Sequence, residues 1–445
     1  MKRRDFIKIS GAAALAACAP KGSATQGVPE TPEAMEYREN PRNGDKVSLL
    51  GFGCMRWPMT EGPDGKDVID QEAVNEMVDY ALAHGVNYYD TSPVYLQGLS
   101  EKAAGIALSR HPREHYYLAT KLSNFGDSSR DGAIRMYRNS FQQLQTDYFD
   151  YYLLHSIGRG GARAFNARYV DNGIVPFLLE EKAAGRIRNL GFSFHGSQQE
   201  FDYFMELEDN GTLHWDFCQI EMNYVDWRHA DGVWNANAEY LYEQLDKRGI
   251  PIIIMEPLLG GRLANTPAGI ARQLKQRAPE KSQASWAFRF CGTFPRVLCI
   301  LSGMTSMDPL LDNIQTFGHF QPLSEEELAF MEHLAIQMKE YPLVNCTDCK
   351  YCMPCPWGID IPGVFQHYNR AITEGTYAQS QTQKDYAKLK RAYLVSYDRA
   401  VATVRQADHC IRCGACLSHC PQSIAIPREL NRIARYVEAL KQDTL

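Results

Sequence analysis

The chain has 445 residues, enough for two or three domains, and 44% of them are hydrophobic, enough for buried cores. Its formal charge of −6, with no long Lys/Arg run, gives nucleic-acid binding no support. Thirteen cysteines, eight of them crowded after residue 345, argue for metal ligation rather than a disulfide framework.

Residues 1–18 read as an export signal. Lys2-Arg3-Arg4-Asp5-Phe6-Ile7-Lys8 resembles the twin-arginine motif, and the apolar segment from Ile9 to Ala17 is too short to span a bilayer. Leu15-Ala16-Ala17-Cys18 resembles a lipobox, which implies cleavage before Cys18 and a lipid on its thiol; an incidental cysteine in a cleavage region is the plainer alternative. These resemblances imply export by the twin-arginine route to a periplasmic position, with the lipid as the sole membrane contact. Residues 19–45, rich in Pro, Glu, Thr and Ser between 22 and 40, read as a tether without a core.

From 46 to 320 the chain alternates strand and helix. Strand-like runs fall at Val47–Gly53, Val86–Asp90, Tyr116–Lys121, Phe149–His155, Ile187–Ser193, Phe217–Met222, Ile250–Met255 and Val297–Leu301. Helix-like segments such as Gln71–His84, Gly132–Leu144 and Pro267–Phe290 lie between them. Eight such units predict an α/β protein with a (β/α)8 TIM barrel, whose active face is at the strand C-termini. A doubly wound sheet is the alternative, but Gly51-Phe52-Gly53-Cys54-Met55 lacks the third glycine of a dinucleotide fingerprint.

Four strand ends and loops carry chemistry: Asp90, Tyr95 five residues later, Lys121 and His155. A phenol beside an ammonium is acidified by it, a carboxylate can hold the ammonium, and an imidazole can polarise a carbonyl. Tyr95 is then the general acid that protonates the developing alkoxide. Taken singly, each is more often a turn cap or a packing residue.

The order and placement of these four resemble the tetrad of the aldo/keto reductase family. That resemblance implies a nicotinamide cofactor, NAD(P), and a small-molecule carbonyl or alcohol substrate. On it, Gly53, Cys54 and Met55 after the first strand, with Cys54 facing the cofactor, Ser193 after the fifth strand and Gln219 on the sixth belong to the cofactor site. So do Met255, Pro257 and Leu258 after the seventh strand, and Ser302, Gly303, Met304 and Asn313 at the adenine end. The sequence departs from the family at Phe194, where Asn is usual, at Met255, where an aromatic stacks, and at Pro309, where an Arg for the 2′-phosphate is common. NADP preference therefore has little support. Two loops could line a substrate pocket: Gly158–Val175 with Arg159, Arg163 and Arg168 for an anion, and Asn223–Ala238 with Trp227, His229 and Trp234 for a sugar ring.

Residues 321–345 contain an amphipathic helix, Leu323–Tyr341, opening with Ser324 and an acidic first turn. Residues 346–431 follow as a small, mostly helical segment, with Ile359–Glu374 and Asp385–Gln406 as helices and 432–445 as a tail. Cys410, Cys413, Cys416 and Cys420-Pro421 have the CxxCxxCxxxCP spacing of bacterial ferredoxins, which ligates a [4Fe-4S] cluster. Cys346, Cys349, Cys352 and Cys355 are one residue tighter. In paired ferredoxin motifs the fourth cysteine of each run completes the other's cluster. Two clusters with Cys355 and Cys420 exchanged are expected, while one cluster or another partition stays open. The remaining cysteines 218, 291 and 299 read as small apolar core residues.

Over Val47 to about Asn431 the chain resembles the ferredoxin-containing aldo/keto reductases. This implies a carbonyl/alcohol oxidoreductase linked to an external electron carrier. The rival reading is an electron-transfer or partner-docking lipoprotein whose barrel is catalytically retired.

Overall fold

The computed structural model describes residues 35–63, 65–232 and 235–445. The signal region, Cys18, the first part of the tether and Trp234 lie outside the described residues. Strands are numbered in chain order: β1 (Tyr37–Glu39), β2 (Lys46–Ser48), β3 (Leu50–Gly53), β4 (Met59–Glu61), β5 (Asp67–Ile69), β6 (Tyr88–Asp90), β7 (Tyr117–Leu122), β8 (Phe149–Gly158), β9 (Ile187–His195), β10 (Cys218–Glu221), β11 (Ile252–Met255) and β12 (Val297–Ser302).

The expected barrel is present. β3, β6, β7, β8, β9, β10, β11 and β12 close in chain order, every neighbouring pair parallel. Their residues are buried on both faces, as the continuous apolar runs require in a parallel sheet covered by helices. Tyr88, Ala119, Tyr151, Phe217, Ile253 and Cys299 fill the barrel interior, while a larger core lies between strands and helices. Gly51 has no room for a side chain, since a Cβ there would stand 2.5 Å from the Cys299 sulfur.

Three boundaries differ from the sequence reading. The first predicted strand is split: β2 pairs antiparallel with β1, and only β3 enters the barrel. This hairpin covers the N-terminal barrel mouth, where the Tyr151 hydroxyl donates to Asp45 (2.9 Å) and the Arg38 guanidinium donates to the carbonyls of Phe294 (2.8 Å) and Val297 (2.5 Å). Residues 35–45 are therefore part of the fold rather than tether. The Pro267–Phe290 segment is two helices, Ala268–Arg277 and Gln283–Gly292, interrupted around Pro279, whose ring and missing N–H end a helix. The supposed C-terminal tail belongs to the helix Ile426–Gln442, whose Val437 and Leu440 enter a core.

The helix Glu325–Glu340 starts with the Ser324/Glu327 capping box, in which each side chain satisfies the other's backbone N–H. Beyond it the helices Ile361–Thr373, Tyr386–Ala400 and Ile426–Gln442 pack around a separate core of Val364, Tyr368, Tyr393 and Ile433. The cysteine-rich loops of this second core are seated on the C-terminal face of the barrel. Arg159 donates to the Cys420 carbonyl (2.6 Å), Gln422 donates to both oxygens of Glu221 (3.2 and 3.0 Å), and Arg262 donates to Asn345 (2.9 Å). Arg56 reaches the Thr347 carbonyl and stands 3.6 Å from Asp348.

Candidate active site

Each polar residue singled out at a strand end faces the side of the barrel that the second core covers. β6 ends on Asp90, β7 carries Lys121 as its next-to-last residue, and His155 lies within β8. Lys121 Nζ is 2.5 Å from Asp90 Oδ1 and donates to the Thr91 carbonyl at 2.8 Å, with the lysine fully buried. Its ammonium stands 4.8 Å from the centre of the Tyr95 ring, and that ring meets the His155 imidazole edge-on at 5.9 Å. Asp90, Tyr95 and His155 line one cavity of about 740 Å³, with Lys121 directly behind Asp90.

The electrostatics follow from burial. Desolvation raises the Asp90 carboxyl and lowers the Lys121 amine, and their mutual attraction opposes both shifts. The His155 pKa is pushed well below the usual imidazole value, first by burial and then by Lys121, His195 and Arg168. The imidazole is therefore neutral at neutral pH. Its Nδ1 lies 2.5 Å from Ser123 Oγ and 3.3 Å from Ser92 Oγ, which leaves Nε2 as the unengaged nitrogen. Tyr95 departs from the expectation that an adjacent ammonium lowers its pKa. Burial comes first and raises it well above a free phenol, with Asp90 and Tyr351 adding. Because Asp90 already neutralises Lys121, the phenol keeps its proton, the state a proton donor needs.

Of the cofactor candidates, Gly53, Met55, Ser193, Gln219, Met255, Pro257, Leu258, Ser302 and Gly303 line the same cavity. Cys54, Met304 and Asn313 do not. Cys54 is buried with its thiol turned to the Phe52 carbonyl at 3.6 Å, and Met304 joins the core between strands and helices, because the turns after β3 and β12 point both side chains inward. Asn313 acts at one remove, donating to Ser302 Oγ at 2.9 Å. The donor set suits a carboxamide: Gln219 Oε1 is buried without a partner, and Gln219 Nε2 has only the Met255 sulfur at 3.5 Å. Phe194 packs against Phe201 and Phe204, so the departure there fills the helix layer, not the cavity.

The pocket loops divide differently from their sequence reading. Arg159 and Arg168 reach the cavity, but Arg168 is spent on the His155 carbonyl (2.9 Å), Asn124 and Tyr169, and Arg163 is exposed elsewhere. Trp227 is buried against Phe294 at 4.3 Å and His229 pairs with Glu332 at 2.8 Å, so neither stands over the site. The aromatic walls are instead Phe125 and Tyr351.

Tyr351 belongs to the cysteine-rich loops, as do Cys349, Ser418, His419 and Pro421 on the same cavity wall. Sequence reasoning gave Tyr351, Ser418, His419, Pro421 and Gln422 no place in this site, since nothing in their spacing relates them to the barrel. It also passed over Ser92 and Ser123, whose part shows only where their hydroxyls meet His155 Nδ1.

The eight thiols form two groups. Cys346, Cys349, Cys352 and Cys420 feel one another's charge, and Cys416 feels Cys410, Cys355 and Cys413. The fourth cysteine of each run stands with the three of the other. Burial first, then the neighbouring thiols, pushes Cys349 up to about 12. Four thiols gathered in each group suit a [4Fe-4S] cluster, which binds them as thiolates. Among the described residues no His/Cys/Asp/Glu trio is set for a single metal ion.

Comparison with known proteins identifies both parts of the chain. The aldo/keto reductase family model matches residues 49–336, and a 4Fe-4S dicluster domain model matches residues 345–425. The chain belongs to the aldo/keto reductase family. This member carries an added 4Fe-4S domain and is an oxidoreductase of the CH-OH/C=O class. L-galactose dehydrogenase of Arabidopsis thaliana is 25% identical over 321 residues, 68% of this chain and 94% of that one. D-arabinose 1-dehydrogenase of Saccharomyces cerevisiae is 36% identical over 128 residues, 26% of this chain and 36% of that one. Among solved structures, the holo form of a Bacillus halodurans aldo-keto reductase superposes with a TM-score of 0.53 at 23% identity, covering 67% of this chain and 96% of that one. A Klebsiella pneumoniae aldo-keto reductase in complex with NADPH gives a TM-score of 0.52 at 21% identity, covering 66% and 92%. Those two likenesses bear on the barrel fold.

Proposed function

We propose that this aldo/keto reductase interconverts a carbonyl and an alcohol with Tyr95 as general acid/base, and that two [4Fe-4S] centres link the same site to external electron transfer. The observation that carries the reading is the shared cavity: Asp90, Tyr95 and His155 face it from the barrel, and Cys349 faces it from the added domain. Neutral His155, with Nδ1 held by Ser123, presents Nε2–H to a substrate oxygen. Tyr95 gives that oxygen a proton as charge develops, and Lys121 faces the tyrosine ring while held by Asp90 and the Thr91 carbonyl. Bound in this cavity, a nicotinamide dinucleotide would supply or take the hydride, with Gln219 and Ser193 positioned for its carboxamide. Relatives named for L-galactose, D-arabinose and methylglyoxal make a sugar or another small carbonyl compound the substrate class, and the aromatic walls Phe125 and Tyr351 suit a sugar face.

Tyr95→Phe tests the reading. Carbonyl turnover should fall by about 10²- to 10⁴-fold with the cluster absorption and EPR spectra unchanged. Undiminished turnover would refute Tyr95 as the acid, while absence of carbonyl turnover in the unaltered protein, with electron transfer indifferent to Tyr95→Phe, would leave only the electron-transfer lipoprotein with a retired barrel. Export and lipidation belong to the same proposal and rest on the Arg3-Arg4 pair and Cys18. A mature protein beginning at a diacylated Cys18 in the membrane fraction supports them, and an unprocessed N-terminus in the cytoplasm refutes them. An exported reductase needs its dinucleotide retained through turnover, so mass spectrometry of the isolated exported form should find it bound.

A further inference from the structure

The two thiol groups differ in what surrounds them. Cys349 of the first opens on the catalytic cavity, whereas Cys413 of the second is exposed to solvent. Around Cys413 the surface is unusually apolar. Trp357 and Ile411 are 55% and 56% exposed and border the same small crevice as Cys355, Cys410, Cys413 and Cys416. Leu417, 43% exposed, lies beside Gly414. Exposed apolar side chains gathered in one place mark contact surfaces, while scattered ones do not.

The rim is basic. Arg405 donates to the Gly358 carbonyl (3.2 Å), next to Trp357; Arg412 donates to Asn431 (2.5 Å); Arg428 follows Pro427 of the crevice. His409 is exposed beside them. Of the acids on this face, Asp408 is exposed, while Glu429 is held between Arg428 and Arg432 at 3.2 and 2.7 Å. A positive rim around an apolar centre complements an acidic partner surface.

We propose that the Trp357/Ile411/Leu417 face, rimmed by Arg405, Arg412 and Arg428, docks an acidic one-electron carrier protein. The inference rests on the two-centre reading above, since it makes this the outward centre. One alcohol-to-carbonyl conversion releases two electrons and two protons. A nicotinamide would pass these electrons as a hydride and a cluster passes one at a time, so a flavin-class mediator is required to split the pair. Two oxidised carriers then take one electron each in successive encounters, the protons go to solvent, and the reverse reaction consumes the same. A rim of charge around an apolar centre suits repeated encounters, because it speeds association without requiring tight binding.

The test uses the full chain with both clusters loaded and an acidic [2Fe-2S] ferredoxin as probe. Calorimetry gives its affinity for the chain, and stopped-flow absorbance follows its oxidation. The Arg405→Glu/Arg428→Glu variant should weaken binding about tenfold or more and lose most of the salt dependence. Reduction of the clusters by dithionite and the iron content should not change. Arg412→Glu should act in the same direction with an unchanged EPR spectrum. The proposal is overturned if the ferredoxin is indifferent to charge reversal, or if dithionite reduction slows equally. It is also overturned if the same face instead binds anionic vesicles or a second copy, read by cosedimentation and by the oligomeric state. Finding a single cluster would overturn the two-centre reading itself, an outcome read from iron content before any docking measurement.

Discussion

Lys121 is fully buried, and its charge is tolerated because Asp90 and the Thr91 carbonyl meet it directly. Asp90 meets Lys121 through Oδ1 while its Oδ2 is buried without a partner, so the carboxylate depends on that lysine. Lys121→Met should therefore cost about 3–5 kcal/mol in urea unfolding, beyond its effect on turnover. Lys121→Met combined with Asp90→Asn should recover part of that loss. His195, on the same cavity, predicts the acid limb of stability. Burial lowers its pKa from 6.5 to about 4 in the fold, with Arg159 adding. The unfolded chain takes up the proton first as pH falls, so this contribution is complete above 6.5 and is lost on descending through the window toward 4. His195→Gln should flatten the fall in unfolding free energy, read by urea titration, across that window by up to about 1.4 kcal/mol per pH unit.

At the scale of elements, the turn after β11 decides how the second core meets the barrel. Gly260 has φ +66°, and a Cβ there would stand 2.4 Å from the Thr347 backbone. That turn also places Glu256, whose carboxylate accepts from the Gly260 N–H at 2.8 Å. Gly260→Ala should destabilise the protein by about 1–3 kcal/mol and raise hydrogen exchange in both Glu256–Arg262 and Asn345–Tyr351. Faster exchange confined to the first stretch would show that the contact does not couple the two elements.

Across the whole molecule, one cysteine loop serves both domains: Cys420 stands with the first cysteine run while its carbonyl receives Arg159 of the barrel. Exchange of the fourth cysteines makes an iron-content prediction. Cys346→Ser/Cys420→Ser should remove one centre, about four irons, and Cys355→Ser/Cys420→Ser should remove both. If the runs acted separately, the first pair would remove both centres and so would the second.

The sequence by itself determined the barrel, because eight apolar runs and their intervening helices repeat with a period that only a few folds satisfy, and it placed Asp90, Tyr95, Lys121 and His155 at strand ends. It also read the two cysteine runs, because thiolate spacing is local. Tertiary structure decided what depends on side-chain direction and on distant segments. Cys54 and Met304 turned into the core, Trp227 packed on Phe294, and Tyr351 came to share a cavity with Tyr95 and His155, residues remote from it in the chain. Periodicity reports which positions are buried, but it cannot report which remote surface they are buried against.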